Sequence, residues 1–168
     1  MWAAGVLPPG AKVLDLACGC GYGSYLLHCA GLEVTSVDAS LEAIEYAKEF
    51  YPGPKYLRQR AEDFSGEFEA FVSFETLEHL PDPASLLRSV NAQVLIASVP
   101  NEEHYPFKRE NFEGETYPHL RHYTPAEFES LLSDGGYTVV KMSCQKDKNG
   151  YIFDGSDGIF MIALCRKS

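Results

Sequence analysis

The segment with the most chemical content is VLDLACGCGYG (13–23), an apolar run that passes into alternating glycines. Glycines at such a turn let the backbone approach a ligand closely, and the first N–H groups of a following helix are free to bind polar groups. Asp15 lies four residues before Gly19, where its charge would repel a pyrophosphate but attract an ammonium group. The segment therefore favours a nucleoside that carries an amino acid.

Asp38 adds a second contact for the same kind of ligand. It closes the next apolar segment, 19 residues after Gly19, where a carboxylate can accept hydrogen bonds from both hydroxyls of a ribose. A solvated aspartate, or one that caps the next helix, would also explain this residue, but the glycine loop favours the ribose. A nicotinamide dinucleotide is the competing ligand, and its glycine fingerprint is incomplete because Ser24 stands at the third glycine position.

The elements that must position these residues alternate along the chain. Apolar runs predict strands at 12–17, 33–38, 55–58, 68–74 and 93–99. Helical periodicity and caps predict helices at 22–30, 41–50, 83–90 and from Thr124, followed by an antiparallel pair at 137–144 and 159–165. This alternation predicts a doubly wound α/β fold in a single domain, 1–168. The segment 101–123 lacks a period and is predicted to be a substrate or lid loop.

Composition narrows the classes of partner. The net charge of −10 argues against an extended nucleic-acid surface, which needs clustered Lys and Arg. No apolar run approaches the roughly 20 residues of a membrane helix, and no signal peptide is visible, so we expect no membrane contact and a cytoplasmic location. The five cysteines fit no zinc spacing and are expected to be reduced thiols. The sequence 154–158 is expected to be a turn between the last two strands.

Four segments together make the chain resemble the class I S-adenosylmethionine (SAM)-dependent methyltransferases, in particular the quinone-biosynthesis-like small-molecule group. They are VLDLACGCGYGS (13–24), VTSVDAS (34–40), RAEDF (60–64) and FEAFVSFETLEHLPDP (68–83). A fifth, PHLRHYTPAEFESLL (118–132), is similar to the late helix of the family and its lead-in. The resemblance implies a Rossmann-like sheet of order 3-2-1-4-5-7-6 whose last strand is antiparallel.

The resemblance also implies SAM as the cofactor and assigns residues to its parts. The methionine part is expected near Asp15, Ala17, Gly19, Gly21 and Gly23; the ribose and adenine near Asp38, Ala39, Ala61, Glu62 and Asp63; and the sulfonium near Ser73 and Phe74. Many relatives have an acid where this chain has Arg60, so the carboxylate that meets the adenine amino group stays open.

Methyl transfer is a direct displacement, to which positioning and desolvation contribute most. A base is needed only where the acceptor loses a proton, and the candidate catalytic residues are His79, His122 and Tyr123. His79 could instead fix its own turn, and Arg121 with His122 could tie down the loop before the late helix. The histidine spacing matches no common metal motif, so no metal ion is expected.

The leading hypothesis is therefore a SAM-dependent methyltransferase that acts at O, N or C of a small or carrier-bound acceptor. The chain reaches its first strand by Val13, without the N-terminal helices usual in the family. We therefore expect an open site, which a partner chain could cover. This feature also motivates an alternative, a non-catalytic module that binds SAM or its demethylated product within an assembly. A nicotinamide-dependent oxidoreductase is the third hypothesis.

Overall fold

The computed structural model describes residues 2–147 and 150–168. Within them lie the helices α1 Trp2–Gly5, α2 Tyr22–Cys29, α3 Leu41–Phe50, α4 Pro83–Ser89 and α5 Pro125–Asp134. The strands are β1 Lys12–Leu16, β2 Glu33–Asp38, β3 Lys55–Arg58, β4 Gly66–Phe74, β5 Val90–Pro100, β6 Tyr137–Gln145, β7 Ile152–Asp154 and β8 Phe160–Lys167. Every predicted helix and strand is present, with ends displaced by up to three residues, whereas α1 and β7 were not predicted.

The strands follow the order β3-β2-β1-β4-β5-β8-β6-β7 in one mixed sheet. Without the short β7, this is the predicted order 3-2-1-4-5-7-6, so the predicted α/β doubly wound fold is confirmed. Pairing of β1 with β2 and β4, and of β2 with β3, is parallel, whereas β8 is antiparallel to β6. Among the described residues, no helix has the length and hydropathy that crossing a lipid bilayer requires.

The chain divides into two compact units, residues 2–73 with 89–94 and residues 74–88 with 95–168. In the first unit β1 is buried along almost its whole length, as expected for a strand paired on both sides by parallel neighbours. Ser40 caps the start of α3, because its hydroxyl accepts a hydrogen bond from the Ala43 N–H at 3.1 Å. It packs Ile44 and Ala47 against Tyr56 of β3.

The second unit contains the late helix and the antiparallel pair. Thr124 caps α5 in a reciprocal capping box with Glu127, as the sequence predicted. The buried face of α5 carries Phe128 and Leu132. After α5, a side chain at Gly135 would come within 2.6 Å of Leu87, so glycine allows this end of the helix to approach α4.

The segment after β6 differs from the predicted simple turn at 154–158. Asp154 belongs to β7, which pairs with β6 through Ser143, Cys144 and Gln145, so the connection to β8 is 155–159, one residue later than predicted. The three residues of β7 are half-buried or exposed, and such a short strand has too few residues to show an alternating pattern.

The predicted loop 101–123 contains the short 3-10 helix Arg109–Phe112 and hydrogen-bonded turns, and a β-bridge joins Asn101 to Tyr123 at its two ends. Several hydrogen bonds anchor its beginning. The Asn101 side-chain amide donates to the carbonyls of Ser156 and Gly158 at 2.8 and 2.9 Å, and the Phe107 N–H donates to the Glu102 carboxylate at 2.8 Å. That the loop acts as a lid remains a prediction.

The turn between β1 and α2 depends on Gly21 in particular. Gly19 and Gly21 both have positive φ, at 54° and 80°. A Cβ at Gly21 would lie 2.6 Å from the Ala47 Cβ and 2.8 Å from the Tyr56 hydroxyl, whereas a Cβ at Gly19 would enter open space. The two glycines therefore carry a similar conformational cost but different steric constraints.

We expect Gly21→Ala to lower the free energy of unfolding by about 1–3 kcal/mol more than Gly19→Ala, because only the former forces overpacking against α3 and β3. Urea denaturation followed by circular dichroism measures the difference. Equal destabilisation by both substitutions would contradict the packing argument.

Candidate functional site

In the first unit, Asp15 lies near the carboxyl end of β1 and is only 7% exposed. The Ser24 hydroxyl of α2 donates a hydrogen bond to its Oδ2 at 2.6 Å. Burial raises the pKa of Asp15 to about 6, the Ser24 bond opposes this shift, and the negative charge of Asp38 adds to it. At neutral pH Asp15 is thus a buried anion that a cationic ligand would stabilise.

Asp38 connects the turns that follow β1 and β2. Its Oδ2 accepts a hydrogen bond from the Gly19 N–H at 2.9 Å, and its Oδ1 accepts one from the Ser40 N–H at 2.8 Å. Since Ser40 caps α3, Asp38 is not the helix cap that the sequence left open as an explanation. Each carboxylate oxygen keeps acceptor capacity for a further donor.

The backbone between these aspartates is held in an unusual conformation. Ala17 has φ 60°, and the Cys18 N–H donates to the Val37 carbonyl at 3.0 Å. Burial, together with the charges of Asp15 and Asp38, raises the pKa of the Cys18 thiol, which stays protonated. Gly23 is the second residue of α2, and a Cβ there would lie 3.9 Å from Asp15 Oδ2, an ordinary contact.

The segment expected near adenine is a single 3-10 turn, Ala61–Asp63. Glu62 forms an exposed ion pair with Arg60 at 2.9 Å, so Arg60 draws Glu62 rather than Asp63. The Ala39 carbonyl accepts a 3.4 Å hydrogen bond from Arg58. The sequence left open which carboxylate would meet an adenine amino group. The ion pair between Arg60 and Glu62 favours Asp63 as that candidate.

The two residues expected near the sulfonium differ in burial. Ser73 is fully buried in the first unit, and its hydroxyl has no hydrogen-bond partner within residues 2–147 and 150–168. Phe74, the first residue of the second unit, is 39% exposed.

In the second unit, a tight turn follows β4. Glu75 has φ 49°, and its Oε1 accepts a hydrogen bond from the Ser98 hydroxyl at 2.6 Å. Glu78 lies in the 3-10 turn Leu77–His79 and is fully buried. Burial raises the pKa of Glu75, and burial together with the charge of Glu75 raises the pKa of Glu78. Sequence reasoning missed Glu78, although its place in ETLEH, directly before His79, was a usable signal.

Three histidines meet beside this turn. The rings of His79 and His119 lie 4.6 Å apart, edge to face, and Nδ1 of His119 lies 2.9 Å from Nε2 of His122. Nδ1 of His122 lies 2.6 Å from the Tyr105 carbonyl oxygen. Burial and the two neighbouring imidazoles lower the pKa of His119 to about 4, so this ring is neutral. One ligand atom from each of Glu78, His79 and His119 lies within 4.8 Å of the others, a grouping that could hold a metal ion.

The predicted catalytic residues thus fall in one cluster but differ in their surroundings. His122 is buried among aromatic rings, and Tyr123 is buried with its hydroxyl donating to the Leu77 carbonyl at 3.2 Å. Burial raises the pKa of Tyr123 to about 12. His79 is half-buried, and its Nδ1 has no hydrogen-bond partner in the part of the chain that the structure describes. The geometry gives His122 and Tyr123 positioning contacts and leaves His79 available to a ligand.

The aromatic residues of the loop divide into two kinds. Phe112 stacks on His119 with centroids 4.1 Å apart and on Phe107 at 5.7 Å, whereas Tyr105 and Tyr117 are exposed. A cavity of about 270 Å³ opens beside this stack; its lining includes Arg109, Phe112, Pro118 and His119.

Comparison with known proteins decides the family. A family model described as "Methyltransferase domain" matches residues 2–142. The chain belongs to this methyltransferase family. The ubiquinone biosynthesis O-methyltransferase of Xanthomonas campestris pv. campestris is 37% identical over 95 residues, which are 52% of this chain and 40% of that protein.

Two solved structures share the fold of this methyltransferase domain. An S-adenosylmethionine-dependent methyltransferase from Mesorhizobium loti aligns with a TM-score of 0.75 and 18% identity, over 98% of this chain and 96% of that one. Magnesium protoporphyrin IX methyltransferase from Synechocystis, solved with bound SAM, aligns with a TM-score of 0.70 and 19% identity, over 99% and 74%. The predicted methyltransferase family and its fold are thereby confirmed. The chain spans less than half the length of its Xanthomonas relative.

We expect Asp15→Asn to stabilise the methyltransferase domain at high pH. The native pKa is raised from 3.8 to about 6, so ionisation costs the native state about 3 kcal/mol above pH 6, and this cost disappears as the pH falls through 6 towards 3.8. Urea denaturation at pH 8 and pH 4 should show a gain of up to about 3 kcal/mol that shrinks at the lower pH. The exposed Asp63→Asn is the control, and an equal gain at both pH values would contradict the assignment.

We expect Tyr123→Phe to lower the free energy of unfolding by about 1 kcal/mol, because it removes one buried hydrogen bond to Leu77 while the ring still packs. If Tyr123 only positions the turn, the pH profile of any methyl transfer keeps its shape. A profile that loses one ionisation would instead make Tyr123 a catalytic acid or base.

Proposed function

We propose that this chain carries the cofactor-binding part of a SAM-dependent methyltransferase that acts on a hydroxyl oxygen of a small or carrier-bound acceptor. The observation that carries the proposal is the buried Asp15 carboxylate beside a preformed glycine turn that Asp38 holds in place. Such a site suits a ligand with both an ammonium group and a ribose.

The residues of the first unit fit the parts of SAM. Asp15 has the Ser24 hydroxyl as its close partner and is anionic above pH 6, so it can accept the ammonium group directly or through water. Asp38 has acceptor capacity left for the ribose hydroxyls. Above Gly19 a side chain would enter open space, which leaves room for the methionine part.

The adenine is assigned to the backbone of Ala39 and Ala61 and to the Asp63 carboxylate. Since Arg60 pairs with Glu62, Asp63 is the better acceptor for the adenine amino group. Ser73 offers a buried hydroxyl to the methionine end.

SAM, when bound, supplies an electrophilic methyl group, and the chain contributes position and exclusion of water. A hydroxyl acceptor must also lose its proton. We assign removal of this proton to His79. His122 and Tyr123 already form hydrogen bonds within the second unit, to the carbonyls of Tyr105 and Leu77. The Xanthomonas relative is an O-methyltransferase, which favours oxygen over nitrogen or carbon as the acceptor atom.

We expect calorimetric titration to show micromolar binding of S-adenosylhomocysteine, weakened at least about tenfold by Asp38→Ala, because charge-assisted hydrogen bonds to the ribose are lost. Asp38→Asn, which keeps one carbonyl oxygen, should fall between wild type and alanine. Affinity should also decrease as the pH falls below 6, where Asp15 becomes neutral. The exposed Glu62→Gln serves as the matched control.

The activity is tested by transfer of labelled methyl from SAM to panels of phenols, alcohols and amines. Transfer to hydroxyl acceptors supports the proposal. Absence of affinity for S-adenosylhomocysteine in folded protein contradicts it entirely. Binding without transfer to any panel contradicts the catalytic part and favours the alternative of a binding module.

A further inference from the structure

Five aromatic rings of the first unit, contributed by α2, α3 and the residue after α3, form one connected cluster, here called the aromatic patch. They are Tyr22, Tyr25, Tyr46, Phe50 and Tyr51. The centroid of the central Tyr51 ring lies 5.8, 5.6 and 6.3 Å from those of Tyr22, Tyr25 and Tyr46. The Phe50 ring extends the cluster, 4.5 Å from Tyr46. The rings thus connect α2 with α3.

Much of the aromatic patch is open to solvent. Tyr22, Tyr46 and Phe50 are 59%, 45% and 54% exposed. Single exposed aromatic residues are common, whereas a contiguous group of large apolar side chains in water is unfavourable and marks an interaction site. Tyrosine is also among the residues that contribute most binding energy in protein interfaces. The patch is therefore expected to bind another molecule.

Hydrogen bonds hold the centre of the aromatic patch in place. The Tyr51 N–H donates to the Ala47 carbonyl at 2.9 Å, and the Tyr51 carbonyl accepts a hydrogen bond from the Tyr56 hydroxyl at 2.8 Å. Tyr56 itself is buried against Ile44 and Ala47 of α3. A surface that is already ordered loses less conformational entropy when a partner binds, so more of the contact energy appears as affinity.

An acidic stripe runs along α3 beside the aromatic patch. It consists of Glu42, Glu45 and Glu49, which are all exposed. Side chains three or four positions apart are neighbours on a helix, so Glu42 and Glu49 lie next to Tyr46. None of these glutamates forms an ion pair or a side-chain hydrogen bond within residues 2–147 and 150–168, and the helix offers a single lysine, Lys48. The charge of the stripe is therefore left for a partner.

We propose that the aromatic patch and the acidic stripe together bind an arginine-rich amphipathic segment of a partner protein. A guanidinium group stacks on aromatic faces and pairs with carboxylates, so one such segment satisfies both surfaces. Nucleic acid, an anionic lipid surface and a second copy of this chain, whose net charge is −10, would each bring further negative charge to the stripe. The inference rests on the first unit alone and does not depend on the proposed function.

The layout of α3 also defines the pattern of the partner segment. The aromatic and acidic side chains repeat at intervals of three or four residues along the helix, so a helical partner should present arginines at the same intervals. The ten residues of α3 span about 15 Å, which requires a partner helix of at least about ten residues. Apolar side chains between the arginines would then cover Tyr46 and Phe50.

The test uses the whole chain and a labelled synthetic peptide of about 14 residues, built from alanine, leucine and arginine, as the probe. Fluorescence anisotropy should show saturable one-to-one binding that weakens as the salt concentration rises. Tyr46→Ser combined with Phe50→Ser should weaken binding at least about tenfold, and Glu49→Lys at least about threefold. A peptide with lysine in place of arginine should bind more weakly, because an ammonium group stacks less well on the rings.

Two substitutions in the second unit serve as matched controls. Tyr117→Ser removes a similarly exposed tyrosine, and Glu129→Lys reverses the charge of an exposed glutamate on α5. Both should leave affinity for the arginine peptide unchanged. Glu129→Lys changes the net charge of the chain as much as Glu49→Lys does, so it separates contact at the stripe from attraction to the whole molecule.

Circular dichroism establishes that each variant is folded, and sedimentation gives the oligomeric state of the chain alone. Folded wild-type protein that does not bind the arginine peptide overturns the proposal. Equal loss of binding in the patch variants and in their controls overturns it as well. A dimer of the chain alone that Tyr46→Ser combined with Phe50→Ser dissociates would assign the aromatic patch to a second copy, and this result also overturns the proposal.

Discussion

The hydrogen bond between the Gly19 N–H and the Asp38 carboxylate is the contact on which the first unit's site depends. The same carboxylate holds the Ser40 N–H, so one side chain orders the turns after β1 and β2. Backbone with positive φ at Ala17 is unfavourable in isolation, and charge-assisted hydrogen bonds of this kind offset such a cost. The backbone of this turn is therefore ordered without a ligand, and under the proposed function Asp38 serves both the fold and the ligand.

The second unit uses backbone hydrogen bonds for a similar purpose. The segment before α5 is tied to the turn after β4 by the Leu120 N–H and the Tyr123 hydroxyl. These bonds bring two parts of the chain that are distant in sequence into one cluster. They also explain why a loop without periodicity is ordered at His119 and His122, which pack with Phe112 instead of extending into solvent.

Much of the fold could be predicted because hydrophobic periodicity and glycine punctuation are local signals. The bounds of α3 and β3 were predicted to the residue, and Thr124 identified the start of α5. The strand β7 was missed because three residues at a sheet edge carry no pattern. In the site, the sequence identified Asp15 and Asp38, but it could not show that both oxygens of Asp38 already accept backbone hydrogen bonds. The approach of Glu78 to His119 depends on tertiary structure, so no spacing rule could reveal it.

Each of the two units buries a carboxylate, although the chain as a whole is strongly acidic. The chain carries a net charge of −10, yet each unit takes a carboxylate out of water, Asp15 in one and Glu78 in the other, and burial raises the pKa of both. A protein that needed only stability would replace such groups with apolar or amide side chains, since an unpaired buried anion is costly. Under the proposed function, the ammonium group of the ligand meets the Asp15 carboxylate and offsets this cost. The free energy that burial of the carboxylate costs in the free chain then contributes to affinity for the ligand. Binding supplies the opposite charge that the folded chain lacks.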